Sequence, residues 1–164
     1  MNPPYRIELL AKHDRSAFDC GTDVLNDYLK KRARQEQRKN YSTCYLALSA
    51  ADEVAGFYTL SSSSINLDEL PDKVRKKLPR YHDVPVARIG RLAVDQRCHG
   101  QGLGAALVAD AIKRVVFSGI GCFAVVVDAK DEQAISFYKH LGFDSLQDKT
   151  DVLYLSIATA KKSL

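Results

Sequence analysis

The sequence predicts an α+β fold, specifically an α/β three-layer arrangement in which helices flank a mixed, mostly antiparallel sheet. Two observations support this fold class. Two strand-like segments, 44–49 and 54–60, are separated by only four residues, which is typical of an antiparallel hairpin. Later in the chain, a strand at 86–94, an amphipathic helix and an apolar run at 122–127 follow one another in the order of a parallel βαβ unit.

The N-terminal half is expected to form one helix before the hairpin. Thr22 or Asp23 caps this helix, which ends near Arg38 and whose first half carries four core residues, Val24, Leu25, Tyr28 and Leu29. After the hairpin, the serine run 61–64 is expected to end the strand and enter a loop. The polar segment that follows is expected to hold one short helix at 72–78.

The C-terminal half has the clearest helical pattern. Apolar residues recur at helical spacing at Leu103, Leu107, Val108, Ala111, Ile112 and Val115. The apolar run at 122–127 is of the kind that is buried on both faces of a sheet. Asp131 is expected to cap a last helix that continues through Leu141 and is stopped by Gly142, and a final strand is expected at 152–157.

Length and composition fit a single domain spanning residues 1–164, because 46% of the residues are hydrophobic and can build one sizeable core. No run approaches the roughly 18 to 20 apolar residues of a membrane span, and the start lacks the apolar core of a signal peptide, so we expect a cytoplasmic protein. The four cysteines are scattered without metal-ligand spacing, which argues against disulfides and structural zinc. Cys44 and Cys122 are expected to be buried, and whether Cys98 is reactive stays open.

Positive charge is concentrated in one segment. The net charge of +4 does not by itself establish a nucleic-acid partner. The segment Lys30–Lys39, however, carries six basic residues and one acidic residue. This basic segment is either a solvated helix face or a surface for a polyanion, and composition alone favours the solvated face.

A glycine-rich turn, Arg97–Ala105, lies between the strand at 86–94 and the amphipathic helix. Its chemistry is anion binding, since glycines let the backbone approach a ligand and helix N-terminal amides favour phosphate. A phosphate-binding loop of the nucleotide-hydrolase type is excluded, because the required lysine and hydroxyl residues are missing. A dinucleotide fingerprint matches Gly100, Gly102 and Ala105, with Asp128 ending the next strand, but too little chain follows for that fold. A plain connecting turn is the remaining alternative.

Two motifs carry a resemblance to a known family. Arg97-Cys98-His99-Gly100-Gln101-Gly102 resembles the Gln/Arg-x-x-Gly-x-Gly/Ala signature of the GCN5-related N-acetyltransferases (GNAT), and the segment 134–143 resembles the second hallmark of that family. The resemblance implies a GNAT-like sheet with a βαβ cofactor-binding unit and acetyl-CoA as the acetyl donor, without a metal. The residues that it implies for cofactor binding are Leu92, Ala93, Val94, Arg97, His99, Gly100, Gly102, Leu103, Gly104 and Ala105. It implies that Tyr138 is the catalytic general acid, although an aromatic residue in this helix would otherwise be read as core.

The strand at 86–94 contains no Asp or Glu, the residues that some members of this family use there as a general base. A lysine amine, with a pKa near 10.4, is mostly protonated at neutral pH, whereas an α-amino group near 7.7 to 8.0 is appreciably neutral without help. The ester of an aminoacyl-tRNA lowers that pKa further. An α-amine acceptor is therefore easier to reconcile with this site.

Nearly the whole chain resembles the acetyltransferase toxins of bacterial type II toxin–antitoxin systems. The resemblance implies acetylation of the α-amino group of aminoacyl-tRNA, which blocks translation. It also implies a ribbon-helix-helix antitoxin, a homodimer, no membrane, and DNA binding only through the antitoxin complex. The implied tRNA-binding residues are Lys30, Lys31, Arg34, Arg38 and Lys39, and the further candidates are Arg75, Lys76, Lys77 and Arg80.

Two alternatives stay open. A GNAT enzyme acting on a protein N-terminus, a lysine or a small amine would share this fold and cofactor. A non-catalytic CoA-binding regulator would keep the cofactor site without needing Tyr138. The aminoacyl group that is modified cannot be read from the sequence.

Overall fold

The computed structural model describes residues 5–164. The strands are β1 (Arg6–Leu9), β2 (Thr43–Leu48), β3 (Val54–Asn66), β4 (Asp83–Val94), β5 (Ala124–Asp128), β6 (Asp144–Leu146) and β7 (Lys149–Ser156). The α-helices are α1 (Asp23–Asp27), α2 (Ala33–Arg38), α3 (Asp72–Arg75), α4 (Leu103–Val116), α5 (Glu132–His140) and α6 (Ile157–Lys161).

The strands form one seven-stranded mixed sheet in the order β1-β2-β3-β4-β5-β7-β6. The pairs β1–β2, β2–β3, β5–β7 and β6–β7 are antiparallel. β4 and β5 pair in parallel, from Val86 with Ala124 to Ile89 with Val127, and α4 connects them. The predicted hairpin, the βαβ unit and the mixed sheet are therefore confirmed.

Residue contacts divide the chain into two compact units with interleaved sequences. The first unit comprises Met1–Ser61 and Gly90–Ala111, and the second comprises Ser62–Ile89 and Ile112–Leu164. β3, β4 and α4 each contribute residues to both units. That residues 1–164 form one domain stays a prediction.

The first unit has helices on both faces of its strands. Gly56 and Phe57 are neighbours on β3, so their side-chain positions point to opposite faces. The Phe57 ring stacks on Tyr28, with ring centroids 6.3 Å apart. On the other face, a Cβ added to Gly56 would lie 3.2 Å from Leu107 of α4. The three-layer prediction is thus correct for this unit.

A π-helical turn, Tyr28–Arg32, separates α1 from α2. The amide of Ala33 donates to the carbonyl of Tyr28, five residues back, which is the π-helical pattern. Tyr28 and Leu29 are buried as predicted, but no local pattern of residues indicates this turn.

The prediction that Val24 belongs to the core is wrong, since its side chain is 77% exposed. The buried residue of α1 is Asn26. Its side chain accepts a hydrogen bond from the amide of Cys20 (2.9 Å) and donates one to Asp19 (3.0 Å). These bonds to the preceding loop, rather than apolar burial, decide which face of α1 turns inward.

The second unit has its own apolar core. Asp131 caps α5 by accepting a hydrogen bond from the amide of Ala134 at 2.8 Å, and Gly142, with φ of +100°, follows this helix. Both end signals agree with the sequence prediction. The buried residues of one core cluster come from β3 to β7 and the segments between them: Ile65, Leu70, Val84, Val86, Ala124, Val126, Leu146 and Tyr154.

Several element ends differ from the sequence predictions. The serine run does not end β3, which continues to Asn66 because exposed serines alternate there with inward positions that lead to buried Ile65. Cys122 is only partly buried and precedes β5. The last strand ends one residue early, since the Ser156 hydroxyl accepts from the amide of Thr159 (3.1 Å) and begins α6 at Ile157.

Two strands, β1 and β6, were not predicted. They have four and three residues and lie at the two edges of the sheet, and runs this short carry no recognisable alternation. The predicted helix at 72–78 is present but shorter, as α3. No helix among residues 5–164 is long and apolar enough to cross a membrane.

We expect Phe57→Ala to lower the free energy of unfolding by about 3 to 5 kcal/mol, because it removes a fully buried ring that contacts Phe18 and Tyr28. Val24→Ala is the matched control, since exposed positions change stability by no more than about 0.5 kcal/mol. Urea unfolding of both variants tests this, and equal stability losses would contradict the observed packing.

Candidate active site

The glycine turn between β4 and α4 forms an open cradle of backbone groups. Gly100 and Gly102 have φ of +79° and +77°, which favour glycine. A Cβ added at either position would meet no heavy atom within 4 Å. The amide of Ala106 donates to the carbonyl of Gly102 at 3.1 Å, so the amides of residues 103–105 precede the first helical hydrogen bond of α4. Amides in this position suit an anionic ligand.

The turn is anchored by the buried carboxylate of Asp95, which is 1% exposed. Oδ1 of Asp95 accepts from the amide and Nε of Arg97 (2.9 and 3.0 Å), and Oδ2 accepts from an Arg97 terminal nitrogen and from the amide of Asp19 (3.2 and 3.0 Å). The amide of Asp95 itself donates to Ala55 of β3 (2.8 Å). Burial alone raises the pKa of Asp95, but the hydrogen bonds from Arg97 and Asp19 outweigh it and hold the pKa below its usual value.

Two side chains of the turn are used inside the protein. The guanidinium of Arg97 contacts Glu53 (3.2 Å) in addition to Asp95, so Nε and both terminal nitrogens of Arg97 have partners. Nε2 of His99 donates to the carbonyl of Val94 (2.9 Å), and the amide of His99 donates to Gln96 (3.5 Å). A direct contact of either residue with a cofactor stays a prediction.

The predicted cofactor strand is the last part of β4. The ladder between β4 and β5 ends at Ile89, and β4 continues to Val94. Strand alternation places Ala93 on the face of the buried cluster that includes Tyr28, and Leu92 and Val94 on the other face. Leu92 and Val94 are half-buried. The backbone of this segment is thus fixed on one face by the core and extends beyond the β5 pairing.

Tyr138 lies in α5, in the second unit. Its side chain is 7% exposed, and its ring meets the rings of Phe137 and Phe143 edge-on, with centroids 5.0 and 5.5 Å away. Burial, with a smaller contribution from the negative charge of Asp128, raises the pKa of Tyr138 to about 12. Among residues 5–164, no group makes a hydrogen bond with the Tyr138 hydroxyl. The Tyr138 side chain is therefore a protonated phenol that can donate a hydrogen bond to a ligand.

Asp128, at the end of β5, is held by Arg88 of β4. One terminal nitrogen of Arg88 lies 2.7 Å from each oxygen of the Asp128 carboxylate, and Nε of Arg88 donates to Ser63 at 3.3 Å. The pair is only partly exposed on the arginine side. Sequence analysis assigned no role to Arg88, because an isolated arginine in a strand gives no signal of its partner.

The basic segment lies on the π-helical turn and α2. Lys30, Lys31, Arg38 and Lys39 are exposed, and Arg34 is half-buried. The ammonium of Lys31 lies 3.7 Å from the carboxylate of Asp27 on the preceding turn. Arg32, which was not among the predicted tRNA-binding residues, is exposed on the same turn. The structure thus presents the predicted cations at the surface of the first unit.

The second group of predicted cations lies on and after α3, in the second unit. Arg75 pairs with Asp72, whereas Lys76, Lys77 and Arg80 are exposed. Within residues 5–164, no group of three or more His, Cys, Asp or Glu side chains is arranged to hold a metal ion. Cys44 is buried and Cys98 is half-buried, and burial raises the pKa of Cys44 to about 12.

The chain was compared with known proteins and solved structures. It is 38% identical over 146 residues to the tRNA-acetylating toxin of Mycobacterium tuberculosis (strain ATCC 25618 / H37Rv). The matched region covers 88% of this chain and 85% of that toxin. A structure of AtaT complexed with acetyl-methionyl-tRNAfMet has a TM-score of 0.91 at 32% identity and covers 97% of this chain and 98% of AtaT.

A second structure, of a tyrosine-to-phenylalanine mutant of the AtaT toxin bound to the C-terminus of the antitoxin AtaR and acetyl-CoA, has a TM-score of 0.83. It is 28% identical and covers 98% of each chain. The family model described as Acetyltransferase (GNAT) family matches residues 8–143. With the open glycine turn and the βαβ unit that carries it, these findings show that the chain belongs to the GNAT acetyltransferase family.

Proposed function

We propose that this protein transfers the acetyl group of acetyl-CoA to the α-amino group of an aminoacyl-tRNA and so blocks translation, as the toxin of a type II toxin–antitoxin pair. The observation that carries the proposal is the open glycine turn at the start of α4. It occurs in a chain that is 38% identical to a tRNA-acetylating toxin.

The cofactor is proposed to lie along the first unit. The amides of Gly100, Gly102, Leu103, Gly104 and Ala105 suit the pyrophosphate, because the dipole of the 14-residue helix α4 adds to their hydrogen bonds. The backbone of Leu92–Val94, which continues past the end of the β5 ladder, is proposed to bind the pantetheine arm and the thioester.

The reaction is an attack by a neutral amine on the thioester carbonyl carbon. A C–N bond forms, the carbonyl oxygen becomes an oxyanion, and the C–S bond then breaks. The amide of Val94 is proposed to donate to the oxyanion, as preorganised backbone donors do in acyl transfer. The nitrogen loses one proton and the sulfur gains one, so the products are an acetylated amine and the free thiol of CoA.

Tyr138 is proposed to donate a hydrogen bond to the departing sulfur. Its pKa of about 12 lies well above the roughly 8.5 of an ordinary thiol. Complete proton transfer from Tyr138 to a free thiolate would therefore be unfavourable. We infer that Tyr138 gives its proton to the sulfur as it receives a proton from the attacking amine, so that the amine is the net source of the proton.

The acceptor is proposed to be an α-amine because the end of β4 offers no general base. The acidic residue of β4 is Asp83, which is exposed at the opposite end of the strand. Asp95, which directly follows β4, is buried and accepts four hydrogen bonds from Arg97 and Asp19. An acceptor that is already neutral near pH 7.5 suits such a site, and the amino group of an aminoacyl ester meets this requirement.

The basic segment is proposed to bind the phosphate backbone of the tRNA. Exposed lysines and arginines on one helical segment neutralise phosphates and release counterions, so the affinity depends steeply on salt. A ribbon-helix-helix antitoxin is the proposed inhibitor, which the structure of AtaT bound to the C-terminus of the antitoxin AtaR supports. A homodimer and a cytoplasmic location are further parts of this proposal, since charged tRNA is a cytoplasmic substrate.

The proposed function predicts that purified protein, freed of antitoxin, transfers label from acetyl-CoA to the α-amine of charged tRNA. Tyr138→Phe is expected to lower kcat by about 10²-fold or more, as for loss of a general acid, while the Kd for acetyl-CoA changes little. Mass analysis of the released amino acids identifies the acetylated position. Label on lysine or small amines, with none on charged tRNA, would instead favour the protein or small-amine acetyltransferase.

The glycine turn gives a second prediction with a matched control. Gly102→Ala is expected to weaken CoA binding about 10-fold, because the added Cβ points into the open space of the cradle and the positive φ is strained. Gly119 has the same φ of +77° and equally open surroundings, but it lies outside the turn. Gly119→Ala should cost similar stability and leave CoA binding unchanged. Calorimetric titration with CoA distinguishes the two, and equal affinities would contradict the cradle.

The raised pKa of Tyr138 predicts the shape of the pH profile. The hydroxyl stays protonated well above its usual pKa near 10, so activity should rise as the amine deprotonates and then stay level to about pH 9. Initial rates with charged tRNA, corrected for ester hydrolysis, measure this profile. A falling limb between about pH 7.5 and 9 would mean that an acid with a pKa well below that of an ordinary tyrosine performs the step.

A further inference from the structure

Arg91, in the first unit, has a fixed backbone position and no anionic partner among residues 5–164. Arg91 lies on β4 immediately before the proposed thioester segment, and its amide donates to the hydroxyl of Thr59 at 3.1 Å. Thr59 is 2% exposed, so the backbone position of Arg91 is fixed by the core. Arg91 itself is half-buried.

The guanidinium of Arg91 rests on an aromatic platform. Its central carbon lies 3.7 Å from the ring centroid of Tyr28, a close cation–π contact. Tyr28 is 3% exposed, and its hydroxyl donates to the carboxylate of Glu36 at 2.8 Å. The ring of Tyr28 is therefore fixed by burial and by this hydrogen bond, and the guanidinium of Arg91 lies over its face.

Two neighbouring arginines, on β4 and in the glycine turn, use their N–H groups within the protein. Arg97 is bound to Asp95 and Glu53, and Arg88 is bound to Asp128. Within residues 5–164, no hydrogen bond or ion pair uses the guanidinium of Arg91. A preorganised guanidinium with free in-plane donors is suited to two parallel hydrogen bonds with a phosphate or carboxylate.

The surroundings select phosphate. Tyr28 begins the π-helical turn that carries Lys30, Lys31 and Arg32, all of them exposed. Arg91 thus joins the basic segment to the strand segment 92–94, which is proposed to hold the thioester. A polyanion that crosses the basic segment and presents an amine to that strand would bring its last phosphates to Arg91.

We propose that Arg91 binds a backbone phosphate close to the aminoacylated 3′ end of the tRNA and so positions the reacting amine. This inference rests on the proposed function. It assigns Arg91 to substrate positioning, while the exposed cations of the basic segment contribute charge farther along the tRNA.

The test compares two acceptors that share the amine, the ester and the terminal nucleoside. One is the intact charged tRNA, and the other is the corresponding aminoacyl-adenosine, which has no phosphate. Arg91→Gln is expected to raise KM for charged tRNA at least 10-fold, with kcat changed less than about threefold. It should leave kcat/KM for aminoacyl-adenosine and KM for acetyl-CoA unchanged.

Further variants separate positioning from structure. Arg91→Lys should lie between wild type and Arg91→Gln, because it keeps the charge but loses the planar fork. Arg91→Gln should also lower the slope of log Kd against log salt for uncharged tRNA by about one. Arg6→Gln is the matched control, since Arg6 is an exposed arginine of the same unit that pairs with Glu8 and Asp52.

Two outcomes would overturn the inference. Equal losses on charged tRNA and on aminoacyl-adenosine would make Arg91 a structural residue, and unchanged kinetics on charged tRNA would remove its role altogether. Thermal melting of each variant confirms that the fold is retained. Failure of the wild-type protein to acetylate charged tRNA would be a different result, since it would reject the proposed function and this inference with it.

Discussion

The hydrogen bonds to the buried carboxylate of Asp95 hold the cofactor end of the first unit together. The carboxylate of Asp95 joins the loop at Asp19 to the start of the glycine turn at Arg97. The backbone amide of Asp95 binds β3 at Ala55. A buried carboxylate is costly unless its charge is paired and its lone pairs are filled, and here four N–H groups fill them. The turn can therefore stay open towards a ligand while its first residues are fixed.

Burial has opposite consequences at the two titratable groups that matter most. At Asp95, hydrogen bonds overcome the effect of burial and keep the carboxylate charged, which makes it a structural anchor. At Tyr138, apolar rings surround the side chain and the nearby charge of Asp128 is negative, so the phenol stays neutral. The protonation state of each group thus follows from its local environment rather than from its residue type.

The π-helical turn links fold and substrate surface. By adding a residue to one helical turn, it keeps Tyr28 and Leu29 buried while three consecutive basic residues, Lys30–Arg32, stay at the surface. The buried Tyr28 then supports Arg91 from the neighbouring strand. The position of the basic segment near the end of β4 is thus a consequence of core packing.

The mixed sheet, the βαβ unit and the glycine turn could be predicted from the sequence, because they depend on local periodicity and on residues that are close in the chain. The family resemblance also predicted a catalytic role for Tyr138 and a tRNA-binding role for the basic segment, and both stay predictions. Only the tertiary structure decided that Asn26 rather than Val24 is buried, that Arg97 is bound to Asp95 and Glu53, and that Arg91 lies on Tyr28. These contacts join residues that are far apart in the chain, and no local pattern records which distant partner a polar side chain will meet.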